Sequence, residues 1–321
     1  MEQTILHEIF TGSTPTGWLV FFGIVAIMLF LDLFVVNRKA HTISLKEALI
    51  TSLIWIAVAL AFNLGIFLFG GHTKGAEFLT GYLIEKSLSV DNLFVFTLIF
   101  SYFQVKPEHQ PKILIWGILG ALVFRALFIV LGVVLIEQFE WILYVFGAIL
   151  IVTGLKMMLQ KDDLEVHPED KMAIKLVKKI FPITATFEGF RFFLKIDHKI
   201  YATSLFLVLI AIETTDIIFA IDSIPAIFGI TQDAYIIYTS NIFALLGLRA
   251  LYFVLANVIE MFKYLKYGVT LVLIFIGIKM MIEYWVHFST YLSLGIIALL
   301  LGGSIIISLI SNRMENKNLN G

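Results

Sequence analysis

Nine stretches of about twenty apolar residues constrain this chain more than any other feature. They fall near 18–36, 46–69, 78–102, 112–136, 139–160, 200–230, 234–257, 264–286 and 289–311. A helix rises about 1.5 Å per residue, so each stretch is long enough to cross the roughly 30 Å of hydrocarbon in a bilayer. Only 15% of the residues are charged and the mean hydropathy is +0.95, so a water-facing surface large enough for a soluble fold is missing. The chain reads as all-α: a polytopic membrane protein of about nine transmembrane helices, one transmembrane domain over residues 1–321. The first stretch has no basic leader and no small-residue cleavage site, and Glu2 and Glu8 precede it, so it is expected to be retained.

The loops alternate in basic content. Arg38, Lys39 and Lys46 follow the first stretch, Lys106 and Lys112 the third, a dense set from Lys161 to Lys199 the fifth, Lys263 and Lys266 the seventh, and Arg313 and Lys317 the ninth. The other loops hold almost nothing basic except Lys74. The positive-inside rule then puts the N-terminus outside and the C-terminus in the cytoplasm, in a multi-pass protein of the inner (plasma) membrane. Trp18, Trp141 and Trp285 fall at outer helix ends and Trp116 near an inner one, as interfacial anchors do; Trp55 fits this pattern less well. A net charge of -1 without a basic block leaves nucleic acid out as a partner. With no cysteine, disulfides, thiolate metal sites and cysteine nucleophiles are excluded.

The chain repeats itself. RALFIVLGVVLIEQFEWILYVFGAILIVTGLKMML, from Arg125 to Leu159, aligns with RALYFVLANVIEMFKYLKYGVTLVLIFIGIKMMI, from Arg249 to Ile282, with one gap. Glu137 meets Glu260 and Tyr144 meets Tyr267; upstream, Asp91 meets Asp216 and Phe94 meets Phe219. The repeat is thus three helices, 78–160 and again 200–286, joined by a cytoplasmic linker at 161–199. Three being odd, the second copy is expected upside down, the build of many secondary transporters, with substrate sites near the midplane where the copies meet. In the linker, MAIKLVKKIF places Met172, Leu176, Val177 and Ile180 on one face and Lys171, Lys175, Lys178 and Lys179 elsewhere. That pattern suits either a helix on anionic lipid or a solvated linker. RFFLKIDHKIYA after it reads as a short hairpin.

Against this apolar background, ETTDIIFAIDSIP (213–225) carries Glu213, Asp216 and Asp222, and EKSLSVDN (85–92) carries Glu85 and Asp91. An acid at the centre of a membrane helix costs roughly 2.5–3.5 kcal/mol on insertion scales, so five need a reason. With Asp91 and Asp216 as mates at the midplane, Glu85 and Asp222 stand ~9 Å toward the outside and Glu213 ~4.5 Å toward the inside, a ladder suited to a cation. Glu213 and Asp216 share a helical face, as do Glu85 and Asn92, while Asp91 and Asp222 lie around the helix from them. Pro225 removes a backbone bond beside Asp222, and Ser89, Asn92, Ser223 and Asn241 add neutral oxygens. Arg125 and Arg249, with Lys86 and Lys279, supply the opposing reading of an ion-pair scaffold without transport.

All seven histidines fall in loops or tails, so the membrane site offers hard oxygen ligands, which suit Mg²⁺, Ca²⁺ or Mn²⁺ and leave protons as substrates or counter-ions. No P-loop, H-E-x-x-H or G-x-S-x-G is present, so an enzyme is not expected, although Asp91 and Asp216 could formally make an acid–base dyad.

EKSLSVDNLFVF (85–96), ETTDIIFAIDSIPAIF (213–228), SNIFALLGLRALYF (240–253) and YGVTLVLIFIGIKMMI (267–282) resemble the TerC/Alx family of integral membrane proteins, within the lysine-exporter-like superfamily. The resemblance runs from about 18 to 310 and is nearest to the Alx branch. It implies Mn²⁺ export from the cytoplasm, with metal-binding positions at Glu85, Asp91, Asn92, Glu213, Asp216, Asp222 and Ser223. Asp91 and Asp216 are expected as core ligands, Glu213 as the inner one and Glu85 with Asp222 as the outer pair. Arg125 and Arg249 are expected to pair with these acids when the ion is absent. Mn²⁺ is then substrate and no resident cofactor is expected. Other members, linked to tellurite resistance or membrane-protein insertion, leave a non-transporting scaffold as the alternative.

Overall fold

A computed structural model describes residues 2–12, 14–31, 44–139, 141–159, 172–184, 190–196, 199–258, 264–283, 285–286 and 288–319. Arg38, Lys39, Lys161, Lys171, Lys263, Glu260, His41, His167, His198 and His287 lie outside them, as do the side chains of Asp91, Phe94, Met172, Arg313 and Lys317. The helices are α1 (Glu2–Thr11), α2 (Pro15–Leu31), α3 (Leu45–Gly65), α4 (His72–Tyr102), α5 (Gln110–Gln138), α6 (Ile142–Leu159) and α7 (Met172–Ile180). After three short strands follow α8 (Ser204–Phe228), α9 (Ala234–Leu246), α10 (Leu248–Val258), α11 (Leu265–Ile282) and α12 (Thr290–Leu319).

Among the described residues, six helical segments can span a membrane by length and apolarity: 45–70, 110–138, 142–159, 204–228, 265–282 and 290–312. A seventh forms if α9 and α10 are taken together. Every expected window holds helix, but α2 has only 17 residues and α4 carries Glu85, Lys86 and Asp91 close together, so neither meets that standard alone. Two expected continuous helices are interrupted. The span expected at 234–257 bends by 44° between α9 and α10 at Gly247, and α3 ends in a π-helical turn over Ile66–Gly70. Conversely, Pro225 does not unwind α8. It lies in the last turn, where its missing N–H costs one bond, and α8 runs on to Phe228.

Leu19, Leu53, Leu60, Leu64, Leu299 and Ile306 are exposed on α2, α3 and α12, an apolar outer surface of the kind that lipid covers. At the centre lies α9. Every residue from Tyr235 to Leu246 is buried, so α9 is wrapped on all sides, with α2, α3, α4, α5 and α10 among its neighbours. Its start is fixed by Asp233, whose Oδ1 accepts from the Tyr235 and Ile236 amides at 3.0 and 3.3 Å. Trp55 is buried in this core, which explains its poor fit to an interfacial belt.

The most extensive helix contact joins α6 to α11. A Cβ on Gly147 would stand 2.9 Å from the Gly277 carbonyl oxygen, and one on Gly277 would stand 2.7 Å from that of Gly147. Further along, Gly154 faces the Thr270 carbonyl at 3.2 Å. As α6 advances from 147 to 154 its partner retreats from 277 to 270, so the helices run in opposite directions with backbones in direct contact.

The linker departs from a purely helical fold. Strands β1 (Ile183–Thr184), β2 (Phe193–Ile196) and β3 (Lys199–Thr203) form a sheet of order β1-β3-β2. β2 and β3 make the expected hairpin, pairing Phe193 with Ala202 and Ile196 with Lys199; β1 joins β3 in parallel. On α7, Val177 of the expected apolar face packs together with Ile174, while Leu176 and Ile180 are exposed. α1, for which no helix was expected, places His7 within a helix, where its Nδ1 lies 2.5 Å from the Phe69 carbonyl.

Candidate cation site

Arg125, Glu85 and Asp216 each sit near the middle of a long helix, α5, α4 and α8 respectively, and all three are buried. The Arg125 guanidinium lies between the acids. Nη1 is 2.6 Å from Glu85 Oε1 and Nη2 is 3.3 Å from Asp216 Oδ1. Nη1 also donates to Asn241 Oδ1 on α9 and, at the edge of hydrogen-bond range, to Ser223 Oγ at 3.5 Å on α8. Ser89 Oγ reaches Glu85 Oε1 at 3.5 Å. One guanidinium therefore ties four helices together through oxygen acceptors alone.

The bonding is incomplete on both sides. Glu85 Oε2, Asp216 Oδ2 and Asn92 Oδ1 are buried with no hydrogen-bond partner among the described residues, and so is Arg125 Nε. Asp216 also lines a small cavity, together with Gly117 and Ala121 of α5, Leu245 of α9, and Leu248 and Arg249 of α10. Leu245 and Leu248, on either side of the break at Gly247, both line it. Lys86 holds that break: its Nζ donates to the Ala244 carbonyl at 3.1 Å, and a Cβ on Gly247 would stand 2.8 Å from it.

The remaining sequence-predicted residues divide. Glu213, one turn before Asp216, lies against Gly120 of α5, where a Cβ would collide with its carboxyl group. Its Oε2 is buried without a partner among the described residues. Arg249 is buried on α10 beside the cavity. Asp91 belongs to α4, with its side chain outside the described residues. Asp222 goes elsewhere: it faces α6, where Thr153 Oγ1 donates to its Oδ1 at 2.9 Å. The expected pairing of Glu85 with Asp222 is therefore absent. Asp222 lies six residues past Asp216, about 240° around the helix, while Glu85 and Asp216 contact the same guanidinium. Among the described residues no three His, Cys, Asp or Glu side chains converge as a metal cage. Arg125 stands where they would meet.

Sequence reasoning missed Gly120, Gly247 and the reach of Lys86. Gly117, Gly120 and Ala121 form a small-residue stripe on α5 that signals a close neighbour, without naming Glu213 as that neighbour.

A family model, integral membrane protein TerC family, matches residues 70–316, which include every candidate site residue. The chain belongs to the TerC family. An uncharacterized membrane protein of Myxococcus xanthus, STKORF319, is 47% identical over 301 residues, 94% of each chain. Alx of Salmonella typhi, named as a candidate membrane-bound redox modulator, is 45% identical over 318 residues, covering 96% of this TerC-family chain and 98% of its own. Alx of Escherichia coli is 45% identical over 320 residues, 97% and 99%. No solved structure matches.

Proposed function

We propose that this TerC-family chain is a secondary transporter for divalent cations that exports Mn²⁺ from the cytoplasm. The observation that carries the reading is the oxygen cluster of Glu85, Asp216, Asn241 and Ser223 around one cationic group, at mid-helix and inside an apolar bundle. Carboxylate, amide and hydroxyl oxygens are the ligands that Mn²⁺, Mg²⁺ and Ca²⁺ accept; a chain without cysteine, with no imidazole beside the cluster among the described residues, disfavours zinc and copper. The resemblance to the Alx branch selects Mn²⁺ among them. Asp216 and its repeat mate Asp91 are the core ligands, with Glu85 and Asn92; Glu213 lies on the inner approach. Asp222 beside Thr153 serves the outer side.

The nine-span, inverted-repeat arrangement belongs to the same proposal, and the packing supports it. Matching the copies pairs α4 with α8, α5 with α9–α10, and α6 with α11. The α4–α9 and α5–α8 contacts, the next most extensive after α6–α11, are then equivalents of each other. The register that aligns Tyr144 with Tyr267 also aligns Gly147 with Thr270 and Gly154 with Gly277. It thereby exchanges the two glycine contacts between α6 and α11, as a two-fold axis in the membrane plane would. In that frame the N-terminus is outside, the C-terminus cytoplasmic, and the membrane the inner (plasma) membrane.

The Arg125 bridge itself favours a second reading, a scaffold whose buried ion pairs only hold helices together. The redox role in the names of the Alx relatives could not run through thiols here, because this chain has no cysteine. Purified protein in liposomes, tested with Mn²⁺, Ca²⁺, Mg²⁺ and Zn²⁺, separates the readings. Transport predicts Mn²⁺ flux that Asp216→Asn reduces to background while the protein still inserts and elutes as a folded species. No flux of any ion from wild-type protein, with partner proteins recovered on pull-down, supports the scaffold.

A further inference from the structure

The guanidinium of Arg125 and a divalent cation compete for the same oxygens. Its partners, two carboxylates, an amide oxygen and a hydroxyl, are all ligand atoms for a hard cation. We propose that Arg125 is the carrier's own stand-in for the transported ion: it neutralises Glu85 and Asp216 while the site is empty, so that the empty carrier can reorient, and gives them up when the ion enters. The proposal rests on the transport reading above and adds to it the step by which the empty carrier returns.

Three features favour a displaceable bridge over a fixed brace. A buried ion pair stabilises a fold only when its remaining donors and acceptors are satisfied. Here Arg125 Nε, Glu85 Oε2 and Asp216 Oδ2 are all unspent among the described residues. Second, two carboxylates face one guanidinium, so the trio is one charge short, whereas a divalent ion in the same place balances both acids. Third, Asp216 lines the cavity beside the α9–α10 break and Arg125 does not, so Asp216 borders space that the guanidinium leaves unfilled. Without Arg125, the empty carrier would hold Glu85 and Asp216 in low dielectric with no cation bridging them, and reorientation would become the slow step.

This makes a kinetic distinction that a structural role does not. With Mn²⁺ on both sides of a vesicle, the carrier shuttles loaded in both directions and needs no stand-in. With Mn²⁺ on one side only, each cycle includes an empty return. The test is to measure isotope exchange and net flux in parallel on the full chain in liposomes. In Arg125→Gln the ratio of exchange to net flux should rise about a hundredfold, the rate equivalent of ~3 kcal/mol for an uncompensated buried charge. Arg125→Lys, which keeps the charge and protects against misfolding, should raise the ratio about tenfold, because one ammonium cannot bridge both acids as a planar fork does. If exchange and net flux fall in proportion in both variants, or the ratio stays at the wild-type value in Arg125→Gln, Arg125 is a brace and the proposal is wrong. Wild-type protein with no flux in either mode overturns the transport reading itself, and this inference with it.

Discussion

The Arg125 junction and the α6–α11 contact hold the same bundle together by opposite means. At Arg125, four helices meet through charges and amides whose bonding is incomplete, so the attraction depends on charge and, on the proposed cycle, on which cation is present. Between α6 and α11, glycines bring backbone against backbone, and nothing there depends on charge. Inside a membrane the hydrophobic effect does not drive helices together, which leaves close packing and polar pairs as the two sources of cohesion. The proposed transport cycle would use both: a contact that persists, and one that can be exchanged.

The comparison breaks most sharply at Arg125. Arg125→Met leaves Glu85 and Asp216 buried without their counter-charge and should destabilise the protein by about 3–5 kcal/mol, measured by denaturation in detergent. Adding Glu85→Gln should recover part of that loss, because the second change removes one of the stranded charges. If the double variant is less stable than Arg125→Met alone, the junction is not governed by charge balance.

At the glycine contact a second change should make matters worse. Gly277→Ala puts a methyl group 2.7 Å from a backbone oxygen that cannot swing aside, an overpacking cost of about 1–3 kcal/mol by the same measurement. Gly147→Ala meets the reciprocal oxygen at 2.9 Å, so the double variant should lose at least as much as either single one. Recovery in the double variant would mean that the two helices slide apart readily and that the contact is not a fixed point.

How much of this could be read in the sequence differs between the two regions. The apolar helices were legible because apolar length is a property of each helix alone, and the sequence repeat shows in G-[LI]-K-M-M and its flanking tyrosines. From that register even the glycine contact was within reach, since Gly154 and Gly277 are mates. The polar junction was less legible. Depths counted along the chain assume helices standing upright, but α4 has 31 residues, about 46 Å, and must tilt or protrude from a ~30 Å core. Counting therefore set Glu85 well outside Asp216, whereas one guanidinium touches both. Helical phase did warn that Asp222 points away from Asp216. What no single-helix argument could supply was the bend at Gly247, because a glycine inside an apolar run looks the same whether the helix continues or breaks.

A third ion pair, at the start of α4 and α9, supplies the smallest effect and a control for the first. Lys74 Nζ meets Asp233 Oδ2 at 2.5 Å, but the side chains are 35% and 25% exposed. Water and salt reach this pair, so its net worth should be about 0–1 kcal/mol, against several for the sealed bridge at Arg125. Asp233 has a second task, accepting from the Tyr235 and Ile236 amides at the head of α9, and asparagine caps a helix about as well as aspartate. Asp233→Asn therefore isolates the ion pair: the loss should be under about 1 kcal/mol and should vanish as salt is raised. Asp233→Ala removes the cap as well, adding about 1 kcal/mol that salt does not touch. A large, salt-resistant loss in Asp233→Asn would show that this pair is as sealed as the one at Arg125, and the contrast between a screened outer pair and an exchangeable inner one would fall.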